Sequence, residues 1–119
     1  IFVECGGQNK PCLSEISLCW AETDDVAVDT VYEYWPIMPF KSDLSWEIPT
    51  QTHFEQLAQN VKMEDIAEST LCSSDPQKHI DKIQRTVEAG FDHICIQQIG
   101  PDQDEFIEFY SEEVLPEFK

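Results

Sequence analysis

Three short apolar runs in this chain each end in residues that could hold a polar organic molecule. The run EISLC leads to Trp20 and Glu22, the run around Leu71-Cys72 to Ser73 and Ser74, and the run FDHICI to Gln97, Gln98 and Gly100. Hydroxyls, carboxamides and a carboxylate orient a substrate by hydrogen bonds, and an indole gives it an apolar wall. Trp46 and Glu47 lie on a long proline-flanked segment and are placed to form a lid or a further wall. Structural roles compete for several of these residues. Ser73 and Ser74 precede Asp75, a helix-capping type, and Trp20 alternates with Ile16 and Leu18 and so shares their face. Gln97 and Gln98 point to opposite sides of a strand, so at most one faces a pocket.

Such groups need strand ends to carry them. Asp75-Pro76 opens a helix, because Asp accepts a hydrogen bond from the first-turn amides and Pro at the first helical position loses no bond the helix would make. Ile80, Ile83 and Val87 recur at helical spacing and Gly90 ends the run, which predicts a helix over 75–89. His79, in its first turn, reads as solvated. Residues 91–99 follow with Ile94, Ile96 and Ile99 and no charge after Asp92, as a strand covered on both faces requires. Gly100-Pro101-Asp102 breaks it, and Phe106, Ile107, Tyr110, Val114 and Leu115 stripe a closing helix.

The same alternation runs upstream. Residues 15–21 read as a strand, 24–35 as a helix, and 68–73 as the middle strand. Strands separated by helices predict a parallel sheet of three β/α units. Residues 36–70 exceed an ordinary connection and hold Pro36, Pro39 and Pro49. They read as a loop followed by short helices over 52–60 and 63–68.

Size constrains the architecture. A closed eight-stranded barrel takes about 250 residues, so three units leave raw edges. With 119 residues and an initial Ile1, the expected fold is α/β, the C-terminal part of a larger single-domain barrel. A small open α/β sheet is the rival, since domains of this size fold.

Charge excludes some partners. With 24 acidic and 7 basic residues the formal net charge is −17, which repels nucleic acid and anionic membranes. No apolar run reaches the roughly 18 residues of a membrane span. Cys5, Cys12, Cys19, Cys72 and Cys95 are odd in number and widely spaced, as suits reduced thiols in a cytoplasmic protein. Cys72, Cys95, His53 and His93 match no zinc-ligand spacing, so the cysteines read as small buried hydrophobes.

Several motifs together carry a family resemblance. CWAETDD (19–25), PTQTHFEQLA (49–58), SSDPQKHIDKI (73–83), AGFDHICIQQIGPDQDEF (89–106) and YSEEVLP (110–116) stand in order along the chain. The chain resembles the C-terminal portion of the luciferase-like flavin and deazaflavin oxidoreductases, in the branch of glucose-6-phosphate dehydrogenases dependent on coenzyme F420. The resemblance implies that the three strands are the last three of a (β/α)8 TIM barrel. It implies hydride transfer between a small organic substrate and a deazaflavin at the C-terminal barrel face. The acid/base pair and most cofactor contacts would lie outside this chain, leaving no catalytic residue within it and the chain alone inactive.

The resemblance also bears on the substrate. Where the sugar-phosphate enzymes carry a phosphate-binding Lys and Arg, an ungapped match from Tyr34-Trp35 puts Ser45 and Ser69. Each charge-assisted bond to a phosphate contributes roughly 1.5–3 kcal/mol, so glucose 6-phosphate is not the expected substrate. Lys41 is placed to compensate, though a solvent-facing lysine competes with that role. The substrate-pocket candidates are thus Trp20, Glu22, Lys41, Trp46, Glu47, Ser73, Ser74 and Gln97. Two alternatives stand beside the deazaflavin enzyme: an FMN-dependent luciferase-like monooxygenase or reductase, and a non-catalytic α/β interaction module. A homodimer is left open.

Overall fold

The computed structural model describes residues 2–40 and 42–118. Its helices begin where side chains can satisfy free amides. Thr23 Oγ1 accepts from the Val26 amide at the start of α1 (Asp24–Tyr34), and Asp75 Oδ1 accepts from the Gln77 amide at the start of α5 (Pro76–Glu88). Gly90 has φ 93° just past α5, the left-handed conformation expected of a helix stop. The long connection holds three helices, α2 (Ser42–Glu47), α3 (Gln51–Ala58) and α4 (Met63–Ser69). The first of them was expected to be loop. Its single turn and a half lies between Pro39 and Pro49, where proline punctuation hides so short an element.

Three parallel strands form the sheet: β1 (Leu13–Cys19), β2 (Leu71–Cys72) and β3 (His93–Gln98). The order is β2-β1-β3. β3 pairs with β1 from Leu13↔His93 to Leu18↔Gln98, whereas β2 pairs only at Leu18↔Leu71 and Cys19↔Cys72. The expected strand over 68–73 is thus cut short. Glu68 and Ser69 finish α4, and past Cys72 the Ser73 amide still donates to the Cys19 carbonyl at 3.0 Å while its hydroxyl turns to Asp24.

This order departs from three successive units of a closed barrel, in which strands stand in chain order and helices cover one side. Here the chain crosses back over β1 after β2. With crossovers of one hand, that reversal places the connecting helices on opposite faces. One face packs Cys19 and Ala21 against Ala27 and Val31 of α1 and Ile66 of α4. The other packs Ile16 and Leu18 against Ile83 of α5 and Phe106, Tyr110 and Val114 near the C-terminus. Alternation along β1 makes both arrays apolar, so both must be covered.

The closing segment is not one regular helix. α6 (Gln103–Phe109) passes into a π-helical turn over Tyr110–Val114 and a short 3-10 turn over Leu115–Phe118. The wider turn keeps Tyr110 and Val114 buried beside Phe106. Gly100, at φ 106°, joins β3 to α6 with its Cα pressed on Thr30 of α1; a Cβ there would meet the Thr30 methyl at 2.4 Å. Both its conformation and its surroundings demand glycine.

All five cysteines are free. Cys19 is buried and Cys72 half-buried, as expected of small hydrophobes, but Cys5 and Cys95 are exposed. Burial pushes the Cys19 thiol up to about 12 and the Cys72 thiol up to about 11, so both stay protonated near neutrality. Among the described residues no group of three or more His, Cys, Asp or Glu side chains could hold a metal ion. No described helix is long and apolar enough to cross a membrane.

Candidate functional site

The polar centre of the molecule lies where β1 and β2 end, around a carboxylate that sequence reasoning missed. Asp24 Oδ1 accepts from the Ser73 hydroxyl at 2.8 Å, the Ser74 amide at 2.9 Å and the Ser74 hydroxyl at 3.4 Å. Its Oδ2 pairs with Lys78 Nζ at 2.6 Å. The Lys78 ammonium beside it holds the Asp24 carboxyl down at about 2. The ion pair is about half exposed on both sides, so solvent screens most of its charge energy. What Asp24 mainly does is geometric: it ties the first turn of α1 to the turn between β2 and α5.

Ser73 is fully buried and doubly used. Its hydroxyl donates to Asp24 and accepts from the Asp75 amide at 3.1 Å. Its carbonyl accepts from His79 Nε2 at 2.9 Å. A carbonyl can only accept, so His79 carries a proton on Nε2, and in the neutral ring that burial favours its Nδ1 accepts from the Tyr110 hydroxyl at 3.0 Å. His79 is therefore neutral, fully buried and not the solvated residue expected. Burial pushes its imidazole below the ordinary histidine value and pushes the Tyr110 phenol above its own. Phe109 fills the remaining space, edge-on to His79 and stacked on Trp20 with centroids 5.3 Å apart.

The expected pocket residues divide accordingly. Ser73 and Ser74 belong to the Asp24 cluster, and Trp20 joins its apolar side through Phe109. Glu22 is exposed at the end of β1. Gln97 accepts from the Ser17 hydroxyl at 2.9 Å and lines a different cleft, with Glu15, Cys95 and Phe106. Gln98 points the other way and clamps Trp20, accepting from its amide at 2.9 Å and donating to its carbonyl at 2.8 Å. Trp46 is 87% exposed on α2 with Glu47 beside it, and neither is brought to the strand ends. Lys41 lies outside the described residues.

Asp24, Lys78, His79 and Tyr110 were absent from the sequence-based candidates. Asp24 in a first helical turn satisfies the helix dipole and so conceals its second task. Its partners lie 49 to 54 positions away, beyond any local pattern. His79 had a usable signal: it precedes Ile83 by one helical turn, on the apolar side of α5. The cluster can orient and shield, and its one imidazole is sealed from solvent.

No family model matches the chain. Curated relatives do. An F420-dependent glucose-6-phosphate dehydrogenase of Microbacterium testaceum is 26% identical over 107 residues, covering 90% of this chain and 32% of the relative. The same-named protein of Beutenbergia cavernae is 31% identical over 85 residues, covering 71% of this chain and 25% of the relative. The chain thus spans about a third or less of the length of these relatives. Among solved structures, an F420-dependent secondary alcohol dehydrogenase in complex with an F420-acetone adduct shares the fold. Its TM-score is 0.67 at 23% identity, over 94% of this chain and 34% of that one.

Proposed function

We propose that this chain is the C-terminal, substrate-side part of a coenzyme F420-dependent oxidoreductase of the luciferase-like class. The observation that carries the reading is agreement between independent comparisons: relatives matched by sequence and a structure matched by shape are both named for F420-dependent dehydrogenases. When bound, the deazaflavin supplies or accepts the hydride. The residues of this chain shape one wall of the site: Asp24 fixes the β2–α5 turn, and Trp20, held by Gln98 and Phe109, offers an apolar surface at the end of β1. The proton-transfer pair is supplied from outside the chain, and a cytoplasmic location accords with its unpaired thiols.

A non-phosphorylated substrate fits this wall. Lys78, the cation joined to the strand-end cluster, is already neutralised by Asp24. Titrating the whole protein with coenzyme F420 and with FMN, while recording visible absorbance, tests the cofactor. F420 should bind and FMN should not, and glucose 6-phosphate should not reduce the bound F420. Binding of neither below roughly 1 mM would end the enzyme reading in favour of an interaction module.

The barrel assignment makes its own demand. In a closed barrel β2 must stand between β1 and β3, whereas the described sheet joins β1 to β3 directly. Ser17 and Gln97 are ladder partners. Cysteines at these two positions, on a background lacking the native thiols, should cross-link in the open sheet and stay apart in a barrel. Mass spectrometry of the whole protein after mild oxidation separates the two.

A further inference from the structure

A cleft of about 420 Å³ opens between the segment before α2 and helices α3 and α4, away from the strand ends. Its floor is apolar, made by Pro39, Phe40, Leu57 and the buried Val61. Its rim is polar, made by Asn60, Asp65, Glu68 and Ser69. The rim has a chemical bias. The Asn60 amide nitrogen gives one of its two protons to the Gln56 carbonyl at 3.0 Å, and the Ser69 hydroxyl donates to the Ile66 carbonyl at 3.2 Å. The acceptors remain open. Asp65 uses Oδ2 for the Lys62 amide, and the Glu68 carboxylate has no hydrogen-bond partner among the described residues.

Asp65 and Glu68 are three positions apart on α4, so they share one face and repel each other. A ligand entering here must bring hydrogen-bond donors and positive charge on one end and apolar surface on the other. We propose that the cleft binds a primary organic ammonium ion, with its hydrocarbon on Phe40, Leu57 and Val61 and its ammonium between Asp65 and Glu68. The net charge of −17 draws such a cation from a distance. This site is independent of the cofactor assignment, and its test requires no turnover.

The probe is phenethylammonium, with 2-phenylethanol and 3-phenylpropionate as its neutral and anionic counterparts. Each is titrated into the isotope-labelled chain while backbone amide shifts are followed by NMR. Phenethylammonium should move amides over 57–69 saturably, the alcohol should bind more weakly and the carboxylate should not bind. Asp65→Asn with Glu68→Gln should weaken the ammonium roughly threefold to tenfold, and added sodium chloride should weaken it in wild type. Asn at 65 can still accept from the Lys62 amide, and the three-ligand series on wild type stands even if the double variant misfolds. Equal binding of the alcohol, or shifts elsewhere in the chain, would overturn the proposal.

Discussion

Replacing His79 with Ala should lower stability by about 4 kcal/mol in urea titration. Three losses combine. The imidazole is fully buried, so its removal leaves a cavity that the surrounding Phe109, Tyr110 and Ser73 fill only in part. The Ser73 carbonyl loses its donor, and the buried Tyr110 hydroxyl loses its acceptor. Tyr110→Phe removes only the second of these bonds and should cost about 1 kcal/mol. Similar costs for the two variants would show that His79 is not packed as described.

The same residue sets a pH dependence. Burial lowers the folded imidazole below the ordinary value of 6.5, so between the two the unfolded chain binds more protons. Stability from this group is complete above pH 6.5 and declines as the pH falls below it. Protonation would also turn Nδ1 from acceptor to donor and leave the Tyr110 hydroxyl to find a new partner. Denaturant midpoints measured between neutral and mildly acid pH should fall in wild type and flatten in His79→Gln. A wild-type profile without that decline would contradict the buried neutral ring.

Asp24→Ala is the second large effect, at about 2 to 3 kcal/mol. Most of it comes from Ser73, whose fully buried hydroxyl loses its acceptor, and from the Ser74 amide. Lys78 contributes little because its pair with Asp24 is half exposed. Lys78→Met should therefore be nearly silent while Asp24→Ala is not, and Asp24→Asn should fall between them. A Lys78→Met cost equal to that of Asp24→Ala would assign the effect to the ion pair. Asp24 also titrates in its own window. Its carboxyl is lowered from 3.8 to about 2, so its contribution is intact above 3.8 and lost as the pH falls through about 2. The His79 and Asp24 declines are thus separated along one acid titration.

Much of the local structure follows from residue type. Asp75-Pro76 and Gly90 bound α5 because capping, ring geometry and left-handed freedom act over a few residues. The alternation in β1 and the isoleucines of β3 specify strands covered on both faces. Helix α2 escaped because a turn and a half between prolines carries too little periodicity, and β2 shrank because α4 runs on through Ser69 and is capped at Thr70. The order β2-β1-β3 escaped for a different reason. Nothing in a strand's sequence states which neighbour it will pair with once both of its faces are apolar.

The candidate site divides along the same line. The sequence by itself placed Ser73, Ser74, Trp20 and Gln97 at strand ends, because position along an element is a local property. Only the tertiary structure decided their roles. It gave Ser73 to Asp24, gave Gln98 to the Trp20 backbone, and buried His79 between Ser73 and Tyr110. Each of those bonds except His79 to Ser73 joins residues more than 30 positions apart, and the chain must fold before either partner is defined by the other.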